Sequence, residues 1–162
     1  MNHRTRTHRL RLLACGAAVA AACAASPPAL GQTEGGLYIA GDGFTFEQAA
    51  EQGLARNPKG QRFFVLVLPP NGAALTKSAS RTAAATRDRV VAAGGVFFVC
   101  QRDIESGAID ASKLLPGVVA VRGFPPRGSD AMPRGERAFP DENAAALPID
   151  NSTLNRLRSA CS

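Results

Sequence analysis

Four short stretches of this chain are apolar at every position, and polar or helical segments separate them. They span residues 37–40, 63–68, 96–100 and 118–121. Continuous apolar runs of this length are typical of strands buried on both faces, as in a parallel sheet that helices cover on each side. The pattern therefore predicts four core strands.

The segments between the apolar runs carry helix signals. Thr45 and Gln48 have the spacing of a capping box, which predicts a helix that begins after the first strand. A second helix is predicted over residues 80–93, because apolar residues recur there at helical spacing. A short helical segment is predicted over residues 110–115 and is ended by Pro116-Gly117. Each helix thus connects two strands.

The chain closes with a predicted short amphipathic helix. Asp150 or Asn151 is the expected N-cap. Leu154, Leu157 and Cys161 follow at positions i, i+3 and i+7, so all three are expected to face inward.

Strands that alternate with helices predict an α/β fold with a mainly parallel sheet. Right-handed connections then give a small flavodoxin-like three-layer α/β/α sandwich of about four to five strands. Residues 32–162 are long enough for a single domain of this kind. Residues 124–148 are rich in proline and glycine and predict a long loop before the last helix.

The first 31 residues have the organisation of a secretory signal peptide. Basic residues come first, the apolar stretch of residues 12–25 follows, and small residues precede Gly31. The apolar stretch is shorter than the roughly 20 residues that a membrane span requires. We expect cleavage after Gly31, a periplasmic or secreted mature protein, and no integral membrane segment in that mature chain.

Charge and composition change once the leader is set apart. The whole chain has a net charge of +6, but residues 32–162 contain 15 basic and 13 acidic side chains and no histidine. This excludes histidine-dependent triads and proton shuttles from the mature chain, and it disfavours a nucleic-acid partner. Two cysteines without histidine also make a poor zinc site. We expect no metal and no cofactor.

Cys100 is the residue on which chemistry could centre, because it ends a predicted buried strand. Ligands of open parallel sheets bind beyond the carboxyl ends of the strands. Arg102 follows closely, and Asp103 could cap a short helix there, so the thiol could react as a thiolate. Asp42, in a predicted tight turn after the first strand, could lie near the same ends. The alternative is a buried, unreactive thiol or half of a disulfide.

Cys161 is the other cysteine of the mature chain, and two cysteines in an exported protein often pair. A bond between Cys100 and Cys161 would contribute about 4 kcal/mol in the chain-entropy model. A reversible version, in which Cys161 resolves an oxidised or persulfidated Cys100, is also open from the sequence.

The stretch from residue 90 to residue 123 resembles the DsrE/DsrF-like family. It contains a helix, a glycine pair, a strand that ends in Cys100, Gly107-Ala108-Ile109, and then Leu114-Leu115-Pro116-Gly117-Val118. The earlier segment Ile39-Ala40-Gly41-Asp42-Gly43 is also similar to that family. The resemblance covers residues 37–123, about two thirds of the mature chain.

This resemblance implies a flavodoxin-like sandwich that often assembles into homo-oligomers. In sulfur-relay members, a cysteine at this strand end carries sulfur as a persulfide, a role that transfers to Cys100 alone. This chain departs from the family in two ways. It has a leader, and Phe124-Pro125-Pro126 with the long loop replace the helix and the Gly-Tyr segment that usually follow the fourth strand in that family.

Two functions follow as hypotheses. The leading one is an exported DsrE-like protein whose Cys100 transfers sulfur or exchanges disulfides with a sulfur-donor or thiol-redox protein. The competing one is a non-enzymatic periplasmic binding or assembly module in which Cys100 and Cys161 form a permanent disulfide. They differ in whether the thiols are accessible.

Overall fold

A computed structural model describes residues 34–57, 61–125 and 142–162. Its strands are β1 (Leu37–Ala40), β2 (Phe63–Val67), β3 (Gly95–Cys100) and β4 (Val119–Val121). Its α-helices are α1 (Phe46–Arg56), α2 (Arg81–Ala92), α3 (Gln101–Glu105) and α4 (Asn151–Ala160). The predicted leader lies outside the described residues, as do residues 126–141 of the predicted loop.

The four strands form one sheet in the order β1-β2-β3-β4, and every neighbouring pair is parallel. Helices cover both faces, so the predicted small flavodoxin-like α/β/α fold is confirmed. The strand order among the described residues is sequential and does not reverse. The crevice that a reversal of strand order creates, where such folds bind ligands, is therefore absent from this part of the chain.

The two faces of the sheet have different covers because alternate side chains of a strand point to opposite faces. The face covered by α1 and α2 buries Phe63, Val65, Val67, Phe97 and Val99. The opposite face, which α4 covers, buries Phe64, Leu66, Phe98, Cys100 and Leu157. Right-handed connections between sequential parallel strands place the connecting helices on one face. The second face thus depends on α4, the one described α-helix that packs there.

The helix ends follow their local sequence signals. Thr45 and Gln48 form the predicted capping box at the start of α1, and Ser80 caps α2. Asp150 is the N-cap of α4 and accepts from the Thr153 N–H. Hydrogen bonds from Ser152 and Thr153 lower the pKa of Asp150 from 3.8 to about 2.

Some sequence expectations need correction. Residues 110–115 form a 3-10 turn over Ala111–Lys113 instead of a longer helical segment, and a second 3-10 turn, Asn71–Leu75, was not predicted. Leu157 of α4 and Cys161, which follows that helix, are buried as expected, but Leu154 of α4 is only half-buried. Leu154 belongs to the first helical turn of α4.

Candidate functional site

Cys100 is the last residue of β3 and is followed at once by α3. Its backbone pairs with Val121 of β4. The side chain is fully buried on the sheet face that α4 covers. The strand end predicted from the sequence therefore does carry the cysteine, but its side chain faces the core beneath a helix.

Cys161 follows the last residue of α4 and is 3% exposed. It forms a disulfide with Cys100, and their Cα atoms are 5.1 Å apart, inside the range of about 4.4 to 6.8 Å that disulfides usually span. The pairing that the sequence left open is present. The bond fastens the end of α4 to the end of β3.

Burial limits what this disulfide can do. An exchange reaction needs a thiolate that reaches one of the two sulfurs. Cys100 is 0% exposed and Cys161 is 3% exposed, so an external thiolate has no open approach in this conformation. Chemistry at this bond would require the end of α4 to move first.

Arg102 contacts the end of α4. Its guanidinium donates to the carbonyl of Ala160 over 3.0 Å and also to the main-chain oxygen of Ser162. Its Nε lies 3.5 Å from Oδ1 of Asp103. Cations stabilise the carbonyl end of a helix. The side chain predicted to activate Cys100 therefore serves as a cap for α4.

Asp103 does not cap a helix, contrary to the expectation. Cys100 occupies the N-cap position of α3 without a side-chain capping bond, and Asp103 lies within the first turn. Its side chain is 13% exposed, and its Oδ2 is buried with no hydrogen-bond partner in the described part of the chain. Asp103 thus presents an unsatisfied acceptor three residues after the disulfide.

Asp42 lies in the predicted tight turn. Gly41 and Phe44 exchange two main-chain hydrogen bonds of 2.9 Å, and both central residues have positive φ, 49° at Asp42 and 90° at Gly43, as in a type I′ turn. Asp42 is exposed and follows β1, which is two strands from β3. That separation corresponds to about 10 Å, so the structure does not bring Asp42 to the disulfide.

Sequence reasoning missed three residues that hold the end of the chain in place. A Cβ at Gly123 would overlap main-chain atoms of Cys161 and Ser162, so the backbone approach there requires glycine. Glu142 forms a two-point ion pair with Arg158, with N–O distances of 2.8 and 3.2 Å. Both side chains are more than nine-tenths buried. No local signal could have found these contacts, because the partners are 16 to 39 residues apart.

A cavity of about 340 Å³ opens beside this region. Gln101 of α3, Val119 of β4, Arg122 and Glu142 are among the residues that line it. Neither cysteine is among its lining residues, so the cavity does not give access to the sulfurs. In the described part of the chain no group of histidine, cysteine and acidic residues could hold a metal ion.

Comparison with known proteins does not assign the chain to a family. No protein-family model matches the chain, and no curated protein matches it. Within the described ranges, no helix is both long enough and apolar enough to cross a membrane.

Proposed function

We propose that this protein is an exported member of the DsrE/DsrF-like family that works as a non-enzymatic binding or assembly module. In it the strand-end cysteine serves stability: the Cys100–Cys161 disulfide is permanent and holds α4 on the sheet. The burial of both sulfurs carries this proposal. The leader-like residues 1–31 and the motifs of residues 37–123 support export and family membership.

Further contacts support a structural role because they converge on the element that the disulfide holds. Arg102 caps the C-terminal end of α4, and Glu142 binds Arg158 on the same helix. At the N-terminal end of α4, the Glu34 carboxylate accepts hydrogen bonds from the main-chain N–H groups of Ile149 and Asp150. A helix that is fastened at both ends has little freedom to expose Cys161.

A second candidate function is thiol exchange after local opening of α4. The observation in its favour is the position of Cys161 at the last turn of a helix, where local unfolding is least costly. A donor thiolate would attack Cys161 Sγ, form a mixed disulfide with it, and release Cys100 as the thiolate. Sulfur relay through Cys100 would start from that released thiolate.

Reduction kinetics separate the two functions. We would measure free thiols over time at millimolar dithiothreitol, in native buffer and in guanidinium chloride. A structural disulfide should react at least 100-fold more slowly in native buffer. Arg102→Ala should speed native reduction because it releases the end of α4, whereas Arg81→Ala, a change at an exposed arginine of α2, should not.

Rapid reduction of the native protein would contradict the structural role. If the native protein is reduced about as fast as the unfolded chain, and Cys100 then alkylates well below pH 8.5, the thiolate is accessible and activated. The structural proposal would then be wrong, and thiol exchange would replace it.

A further inference from the structure

β1 is an edge strand whose outer side has no neighbouring strand in the described part of the chain. The N–H of Phe64 in β2 donates to the carbonyl of Gly36. Main-chain groups of alternate residues in a strand point to the same side, so those of Leu37 and Ile39 point away from β2. These outward donors and acceptors are the kind to which another strand can add.

An open groove of about 380 Å³ follows this edge. Arg56 of α1 and Arg156 of α4 border it, and both are exposed. Phe44 also lines it and is 48% exposed. None of the described residues that line the groove is acidic, and neither arginine forms an ion pair with another described residue. The groove thus combines main-chain hydrogen-bonding groups, an aromatic surface and positive charge that no described acidic side chain neutralises.

We propose that β1 binds an extended, acidic peptide segment of a partner protein by strand addition. The main chain of the segment would pair with Leu37 and Ile39, and its carboxylates would lie between Arg56 and Arg156. Phe44 would contact an apolar side chain of the segment. This docking edge supplies a specific partner class for the binding role proposed above, on which it rests.

Charge favours an acidic partner over a second copy of this chain. If two copies paired through β1, the arginines of both grooves would come together, and like charges across an interface oppose association. The strand itself also lacks the charged or proline residues that proteins use to block an edge, since its sequence is Leu-Tyr-Ile-Ala. The positive charge is on the flanking helices, where it selects a partner without blocking the strand.

The opposite edge of the sheet is less suited to strand addition. β4 has three residues, one fewer than β1. Just beyond it, the N–H of Arg122 donates to the Glu142 carboxylate over 2.7 Å. The Glu142 carboxylate therefore already occupies a main-chain donor there, and that donor is not available to an added strand.

The test uses the purified, oxidised protein and a fluorescent eight-residue peptide that alternates valine with glutamate. We expect saturable binding by fluorescence anisotropy that weakens with salt. The matching valine–lysine peptide should bind at least tenfold more weakly. Two N-methylated versions of the acidic peptide probe main-chain pairing. One is methylated at the odd-numbered residues and the other at the even-numbered residues. One should lose binding and its counterpart should retain it, because only one set of N–H groups faces the protein.

Charge reversal tests the arginines. The double variant Arg56→Glu/Arg156→Glu should bind the acidic peptide roughly tenfold more weakly than the wild-type protein does. It should bind the lysine peptide more tightly than the wild-type protein does. Arg81→Glu, an equal change on an exposed residue outside the groove, should leave the affinity unchanged. Circular dichroism should show the same fold for all three proteins.

Several outcomes would overturn the docking edge. They are absence of binding at millimolar peptide, equal effects of the two N-methylated peptides, or a β1-dependent dimer in sedimentation experiments. Each is distinguishable from failure of the structural-disulfide proposal, because thiols are counted in the same sample. Peptide failure with a protected disulfide contradicts only the docking edge, whereas rapid native reduction contradicts the structural role whether or not the peptide binds.

Discussion

Replacing both Cys100 and Cys161 by alanine removes the disulfide cross-link between the sheet and α4. The bond joins residues that are 61 positions apart. A cross-link that closes a loop of that length lowers the entropy of the unfolded chain by about 14 cal/mol/K, which corresponds to about 4 kcal/mol of stability at 25 °C. We therefore expect the free energy of unfolding to fall by about 4 kcal/mol.

The same loss can be expressed as a change in melting temperature. A domain of about 130 residues unfolds with an entropy near 0.27 kcal/mol/K at its midpoint. A loss of about 4 kcal/mol then lowers Tm by about 15 °C. Far-UV circular dichroism in guanidinium chloride and on heating is the suitable assay, since the chain has no tryptophan and one tyrosine.

Reduced wild-type protein is the matched control, because it lacks the bond but keeps both side chains. It should unfold close to the double alanine variant and well below the oxidised protein. Hydrogen exchange should show the largest loss of protection in α4 and a smaller loss in α1, which packs on the other face. Oxidised and reduced protein with free energies within about 1 kcal/mol of each other would refute the view that the disulfide fastens the fold.

Three further perturbations test the contacts around α4. Gly123→Ala should cost about 1–3 kcal/mol in chemical denaturation, because the new Cβ would overlap the main chain of Cys161. Glu142→Gln should cost about 3 kcal/mol in the same assay, since it removes the carboxylate charge that pairs with the buried guanidinium of Arg158. Asp150 has a pKa lowered to about 2, so its contribution is complete above about pH 4 and is lost as the pH falls toward 2. Asp150→Asn should therefore flatten the dependence of stability on pH across that window, as acid titrations by circular dichroism would show.

The strands and helix caps were predictable because their causes are local. A continuous apolar run specifies a doubly covered strand wherever it lies, and β3 formed almost within its predicted bounds. The capping box of Thr45 and Gln48 needs only residues that are three positions apart. Asp150 likewise caps α4 through a contact with the adjacent turn. These features require no knowledge of tertiary contacts.

The roles of the site residues were less predictable because they depend on distant partners. Arg102 follows Cys100 by two residues, yet the side chain of Arg102 contacts carbonyls 58 and 60 residues further along the chain. Asp42 shares the carboxyl side of the sheet with Cys100, but strand order places it two strands away. The position of a residue along the sequence predicts whether it lies at the carboxyl or the amino ends of the strands. Its neighbours at those ends depend on the strand order, which the sequence does not give.

The cover over Cys100 is what decides between a carrier cysteine and a structural one. A cysteine at the carboxyl end of a parallel strand is reactive only where that end is open. Here the sequential strand order leaves one sheet face without connecting helices, so the face must obtain its cover from a later part of the chain. α4 supplies it, and the same helix brings Cys161 to Cys100. The strand end that carries Cys100 and the helix that covers it are therefore separate features of the chain, and the same strand end without α4 would present its cysteine to a partner.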